Sequence, residues 1–307
     1  MATDGSEQTG LVRSGPRSLG CLPDVGPIAY GQWRYTTDSV PDAQALIQAA
    51  LDAGMNLIDT ADVYGLDWGG SAFGQVEELL GRVLAAAPQL RAQMVLATKG
   101  GIRPPVPYDS SADALRAACH DSLRRLQTDT IDLYQIHRHD LFTHPADVAA
   151  TLTELRQAGT IREVGVSNHT PAQVEALQAH LPFPIVSDQP EYSAAHLAPL
   201  RDGTFDACMQ HGRTPLAWSP LAGGRLATGD GIRPQLLAVL DEIAQREDVH
   251  RSHVALAFVL AHPSAPVAII GTQRPERIGE SLAALNVVLT RTDVYRIVQT
   301  SEGVPLP

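Results

Sequence analysis

Short apolar runs alternate with longer stretches of helical spacing along this chain of 307 residues. The runs are Ile28-Ala29-Tyr30, Asn56-Leu57-Ile58, Met94 to Ala97, Ile131 to Ile136, Ile161 to Val166, Pro184 to Val186, Pro215 to Trp218 and Pro266 to Ile270. Each has strand length, and together they predict eight strands. Between most of them, apolar residues recur every three or four positions. Ala43, Leu46, Ile47, Ala50 and Leu51 share one face, as do Val76, Leu79, Leu80 and Val83. Leu115, Ala118, Cys119, Ser122 and Leu126 repeat the pattern, followed by Val148, Leu152 and Leu155, then Leu236, Val239, Leu240 and Ile243. Gly54 and Gly159 stand where helix-ending glycines belong. This alternation predicts a parallel sheet with right-handed crossovers. Eight repeats close most economically as an α/β barrel, the (β/α)8 TIM barrel. A doubly wound open sheet is the alternative, but no G-x-G-x-x-G follows any of the strands.

No linker or composition break divides the chain, so one domain is expected over residues 19–307, entered through a short N-terminal hairpin. Residues 1–18 are polar and Gly-rich and are expected to form a mobile tail. Apolar residues make up 44% of the sequence, enough for a large core. The net charge of −11 and the absence of a basic run argue against a nucleic-acid or anionic-membrane partner. Cys21, Cys119 and Cys208 are odd in number and form no CxxC, which points to reduced thiols in a soluble, cytoplasmic protein. Neither an export signal nor a membrane-length apolar run is visible. The basic residues are 22 arginines and one lysine, Lys99. Arginine keeps the charge but not the compact ammonium; chance survival is the plain reading of a single residue, and the position of Lys99 at a strand end argues against it.

Barrel chemistry sits at the C-terminal ends of the strands. Strand two ends in Asp59-Thr60-Ala61-Asp62-Val63-Tyr64-Gly65, strand three in Lys99-Gly100-Gly101, strand four in His137-Arg138 and strand five in Ser167-Asn168. Asp188-Gln189 follows strand six, and strand seven ends in Trp218-Ser219-Pro220-Leu221. Asp59, Tyr64, Lys99 and His137 make a coherent proton-donating group. A free tyrosine titrates near pH ~10 and donates sluggishly at neutrality. A neighbouring ammonium stabilises the phenolate and lowers that value, an aspartate fixes the ammonium, and a histidine orients a carbonyl oxygen. Taken singly, each has a plainer reading: a helix cap or rim ion pair for Asp59, a packed aromatic for Tyr64, a solvated charge for Lys99, a core histidine for His137. Together, at three consecutive strand ends, they favour chemistry.

These segments, with Gln189-Pro190-Glu191-Tyr192, Ala217 to Leu221 and Ile270 to Ile278, resemble the aldo-keto reductase superfamily in order from about Ile28 to Val288. The resemblance implies reduction of aldehydes or ketones by hydride transfer from NADPH, NAD being possible, with Tyr64 as general acid and Asp59, Lys99 and His137 completing the tetrad. It places Ser167, Asn168 and Gln189 on the nicotinamide carboxamide, although Ser167-Asn168 could instead cap the next helix. Trp218 takes the place of a stacking tyrosine. Ser219, Pro220, Leu221 and Gly223 would approach the pyrophosphate, and Arg225 would add charge unless it is a solvated loop residue. Thr272 and Arg277 match contacts to the adenosine 2′-phosphate, Glu280 an adenine contact, and Gly271, Gln273 and Ser281 lie in the same segments. Gly271 stands where some members carry lysine. Trp33, Trp68, Arg138 and His139 are candidate pocket walls. Few residues follow the last helix, so the pocket is expected to be open and tolerant of a range of carbonyl and alcohol substrates.

Two other classes fit parts of the pattern. His137-Arg138-His139 with Asp59 and Asp62 could be drawn as the metal site of a barrel hydrolase, which leaves Lys99 and Tyr64 without a role. A non-catalytic dinucleotide-binding or redox-sensing module would need no complete tetrad.

Overall fold

The computed structural model describes residues 10–66 and 70–306. Eight parallel strands close into a barrel in sequence order: β1 Ile28–Gly31, β2 Leu57–Asp59, β3 Val95–Gly100, β4 Ile131–Ile136, β5 Ile161–Ser167, β6 Ser187–Gln189, β7 Thr214–Trp218 and β8 Val267–Ile270, with β8 pairing back on β1. The fold is thus the expected (β/α)8 TIM barrel. The main outer helices are α1 Val40–Asp52, α2 Gln75–Ala86, α3 Ala112–Leu126, α4 Pro145–Gln157, α5 Pro171–Gln178 and α6 Thr204–His211. They continue with α7 Arg225–Thr228, α8 Pro234–Arg246, α9 Arg251–Leu260, α10 Pro275–Glu280 and α11 Arg291–Glu302. Thr170 and Thr290 start α5 and α11 with reciprocal capping boxes. Gly54 and Gly159 both take positive φ just past α1 and α4, as their positions in the sequence predict.

Side chains alternate across each strand. One parity of every strand packs outward against the helices, with Ile28, Tyr30, Ile58, Leu96, Tyr134 and Ala217 in one continuous core. The other parity fills the barrel interior in two layers. The lower layer is apolar: Ala29, Leu57, Val95, Ala97, Leu133, Leu216 and Val267, closed from below by Leu19, Leu22 and Val25 of the N-terminal hairpin. The next inward positions up are Gly31, Asp59, Lys99, Gln135 and Gln189, and the layer is polar.

Two expectations change. The apolar run Pro184 to Val186 leads into β6 but is not its paired part. Val186 N–H donates to the Val164 carbonyl at 2.9 Å, and the strand proper is the polar Ser187–Gln189. It reads poorly as a strand because it forms where the interior turns polar. Nor does the expected tail run as far as residue 18. From residue 10 the chain is fastened to the barrel: Leu11 N–H donates to Leu289 O at 2.9 Å and Arg13 N–H to Leu260 O at 3.1 Å. The buried Arg17 guanidinium donates to the carbonyls of Ala265 at 2.6 Å and Arg13 at 2.7 Å. Its carbonyl partners give that charge a reason to be inside. Residue 17 then pairs antiparallel with Val25, the expected hairpin.

Candidate active site

Lys99 is inward-facing on β3 and 1% exposed. Its ammonium makes three contacts: Asp59 Oδ2 at 2.7 Å, the Thr60 carbonyl at 2.8 Å and the Tyr64 hydroxyl at 3.1 Å. The three donors of the ammonium are satisfied, which is how a cation survives there. Asp59 closes β2, and the chain turns at once, with Asp62 N–H bonded to the Lys99 carbonyl and Tyr64 N–H to the Ala61 carbonyl. That tight turn brings Tyr64 back over Lys99. His137 follows β4, its N–H held by the Gly100 carbonyl at 2.9 Å, and its ring meets Tyr64 edge-on at 5.9 Å between centroids. The four residues expected to act together therefore share one pocket.

Burial works against the Lys99 ammonium, but Asp59 and Tyr64 beside it outweigh that and raise its pKa. Loss of hydration pushes the Tyr64 phenol up, with Lys99 pulling against it, and the net direction is upward. The expected lowering by the ammonium is present but smaller than the burial effect. His137 is held well below the usual histidine range by burial and by the charges of Lys99 and Arg138, so it is neutral at physiological pH. A neutral imidazole offers one donor and one acceptor.

Beside this group lies a cavity of about 1080 Å³. Its lining includes Asp59, Tyr64 and His137 and most residues expected to hold a cofactor: Ser167, Asn168, Gln189, Trp218, Ser219, Pro220, Leu221, Gly223, Arg225, Gly271, Thr272, Arg277, Glu280 and Ser281. Trp33 and Arg138 line it as well. Asn168 is in the left-handed region, and its amide joins Ser167 Oγ at 2.8 Å while its Oδ1 accepts from the Trp218 indole at 3.0 Å. Helix α5 is capped by Thr170, so the capping role for Ser167-Asn168 is not realised. Trp218 is fixed by that bond and by an edge-on contact with Trp33 at 6.2 Å. Gly223 and Gly224 both take positive φ, leaving bare backbone on the cavity wall. Arg225 faces the cavity while its Nε donates to the Ala222 carbonyl at 3.0 Å.

Two expected residues are placed differently, and a third carries a second engagement. His139 does not line the cavity but packs edge-on against His169 at 5.4 Å, drawn aside where Asp140 ties the neighbouring loops together. Gln273 points away, its Nε2 donating to the Arg34 carbonyl and its Oε1 accepting from Thr36 N–H at 3.2 Å, because an exposed amide finds the loop after β1 within reach. Gln189 commits its Nε2 to Asp59 Oδ1 at 3.0 Å and to Gln135 Oε1 at 3.2 Å, so its amide serves the tetrad carboxylate as well as the cavity wall. Trp68 lies outside the described residues. The metal-site drawing is not assembled: Asp59 is taken by Lys99 and His139 by His169, and among the described residues no three His, Cys, Asp or Glu side chains converge.

The structure also adds residues that the sequence did not single out. Gln135 donates to Asp59 Oδ1 at 3.2 Å. Its signal was its parity with Leu133 and Lys99, visible once the pairing register is known. Arg34 reaches from the loop after β1 to the Gly223 carbonyl at 2.8 Å. His250, Ser252 and His253, at the start of α9, also line the cavity. Nothing local in the sequence says that this helix end faces a pocket.

The cavity exceeds the usual range for small-molecule sites, about 300–1,000 Å³. With bare glycine backbone and Arg277 on its lining, it has room and a cationic partner for an elongated, phosphate-bearing ligand.

The sequence model of the Aldo/keto reductase family matches residues 27–302. A "6-dehydroglucose reductase" of Novosphingobium aromaticivorans is 48% identical, over 92% of this chain and 94% of that protein. "Oxidoreductase YdhF" of Escherichia coli is 34% identical, over 93% and 96% of the two chains. A second "6-dehydroglucose reductase", of Agrobacterium fabrum, is 32% identical over 91% and 95%. Among solved structures, a thermostable aldo-keto reductase, Tm1743, in complex with the inhibitor epalrestat, superposes with a TM-score of 0.79 at 26% identity, covering 93% of this chain and 99% of that one.

Proposed function

The chain belongs to the aldo/keto reductase family of oxidoreductases, and from that premise we propose that it reduces aldehyde or ketone carbonyls with NADPH, using Tyr64 as the proton donor. The observation that carries this reading is the buried Lys99 ammonium lying between Asp59 Oδ2 at 2.7 Å and the Tyr64 hydroxyl at 3.1 Å. NADPH, when bound, supplies the hydride for the carbonyl carbon. The protein's part is to complete the alcohol. The carbonyl oxygen, gaining negative charge as the C=O π bond opens, takes the Tyr64 proton, and the phenolate left behind is stabilised by Lys99. A raised Tyr64 pKa keeps that proton in place at neutral pH, and Lys99 makes its loss cheaper at the moment of transfer. Neutral His137 is able to donate one hydrogen bond that orients the carbonyl oxygen. The reverse reaction uses the same groups, Tyr64 accepting the proton.

Ser167, Asn168 and Gln189 would hold the carboxamide end of the cofactor, Trp218 its ring, and the Gly223-Gly224 backbone its pyrophosphate. Thr272 and Arg277 support NADPH over NADH. On the substrate side, the 48% identical relative bears the name 6-dehydroglucose reductase. We accordingly assign this chain a hydroxylated, sugar-like aldehyde. No helix among the described residues is long and apolar enough to cross a membrane, and the three cysteines are free. The free thiols support our placing the enzyme in a reducing compartment, the cytoplasm.

The test is Tyr64→Phe. We expect steady-state carbonyl reduction to fall by about 10²–10⁴-fold, while quenching of protein fluorescence by NADPH is unchanged. A variant that turns over like the wild type would refute the assignment.

A further inference from the structure

We propose that Gln135 is a positioning residue for the proton donor: together with Gln189 it clamps the Asp59 carboxylate that holds Lys99 against Tyr64. The two oxygens of Asp59 are used differently. Oδ2 takes the Lys99 ammonium at 2.7 Å, and Oδ1 accepts from Gln189 Nε2 at 3.0 Å and Gln135 Nε2 at 3.2 Å. The two amides are in turn joined, Gln189 Nε2 donating to Gln135 Oε1 at 3.2 Å. That link fixes the Gln135 amide so that its donor side faces Asp59. All four side chains are buried, with Gln135 at 0% exposure, so water is not at hand to replace a missing donor.

The donors are neutral. A second cation at Oδ1 would compete with Lys99 for the carboxylate, whereas an amide satisfies the oxygen and leaves the charge to Lys99. Gln135 does not line the cavity, so any effect it has on the reaction passes through Asp59. Its strand partners across the sheet are Lys99 on one side and Gly165 on the other. A Cβ on Gly165 would meet Ser187 Oγ first and would also crowd Gln135 Cγ at 3.1 Å, so the glycine leaves room for both side chains.

If Gln135 only filled space, an apolar side chain of equal length would serve. If it positions Asp59, its loss frees the carboxylate to swing from Lys99. Asp59 pushes the pKa of both Lys99 and Tyr64 upward. With Asp59 displaced, both fall, and the alkaline limb of the rate profile moves to lower pH. In Gln135→Met, which keeps length and loses the amide donor and acceptor, kcat should drop by about ten- to a hundredfold. The same variant should keep its KM for the carbonyl substrate and its NADPH affinity by fluorescence quenching, and the alkaline limb should shift down by about half a pH unit or more. Gln135→Glu is the isosteric control. It sets a like charge against Asp59 at high pH and regains a donor when protonated, so its rate relative to wild type should recover as the pH is lowered.

Circular dichroism melts establish that each variant is folded, and should Gln135→Met not fold, Gln135→Glu carries the test. A kcat equal to wild type, a kcat loss with the limb unmoved, or a Gln135→Glu ratio flat with pH would overturn the proposal. It rests on Tyr64 being the proton donor. If Tyr64→Phe keeps turnover, that reading fails. If Tyr64→Phe is inactive and Gln135→Met matches wild type, only the role of Gln135 fails.

Discussion

The barrel interior contains two layers built by the same strands and the same inward parity, one residue pair apart. In the lower one, Leu57, Val95, Leu133, Leu216 and Val267 belong to one buried apolar cluster. In the upper one, Asp59, Lys99, Gln135 and Gln189 form a closed set of charge-assisted and amide hydrogen bonds. Burial drives the first layer and opposes the second. Hydrophobic contact is tolerant of exchange and nearly non-directional. A buried charge set is tolerable only with every donor and acceptor matched, and such a set does more for the placement of particular atoms than for stability. Adjacent layers of one interior thus divide holding the fold from fixing a charged cluster in place.

That division can be broken by experiment. Its sharpest form is that Tyr64→Phe, which removes one hydroxyl above the polar layer, should leave the melting temperature near wild type while activity collapses. The opposite case is Leu133→Ala, at a fully buried position of the apolar layer. It should cost about 2–5 kcal/mol in denaturant unfolding, with kcat per folded molecule retained. A lost kcat in that variant would mean that the layers are not separable. Arg277, on the cavity lining, is exposed, so water screens whatever it binds. Arg277→Ala should weaken NADPH by about ten- to a hundredfold and NADH much less, by fluorescence titration. Equal effects on both would remove the 2′-phosphate assignment.

The smallest effect expected is at Asp188, on β6 but facing outward. Burial raises its carboxyl from the ordinary 3.8 to about 7, with Arg213 pulling the other way, and its Oδ1 has no partner among the described residues. A raised folded-state value means a contribution present below the unfolded pKa and lost as pH rises to about 7. Asp188→Asn carries no such loss. Its melting temperature relative to wild type should climb between about pH 4 and 7 and then level off. A difference constant across that range would show that Asp188 titrates normally.

The strand-helix alternation and the placing of Asp59, Tyr64, Lys99 and His137 at neighbouring strand ends were legible because both are local signals. A strand's apolar run and the polar residue at its C-terminal end lie within a few positions of each other. Ser187–Gln189 escaped because the strand signal is hydrophobic, and β6 pairs where the interior has ceased to be so. His139 was two positions from His137 and shared its parity, yet a contact with His169, on a different strand-end loop, turned it out of the cavity. Gln273 sat in a matching segment, and its amide went to the neighbouring loop.

What the amino-acid order determined by itself was the periodicity: eight repeats, which face of each element is apolar, and which strand ends carry Asp59, Lys99, His137 and, just beyond, Tyr64. Which groups finally meet was left to the tertiary structure. The Gln135–Asp59–Gln189 clamp joins residues 76 and 130 positions apart. The approach of α9 to the cavity, and the outcome of burial against Lys99 at the Tyr64 phenol, were likewise decided by packing. The reason is physical: periodicity is a property of neighbours along the chain, whereas the register of one strand on the next, and the water excluded between them, exist only once the cylinder has closed.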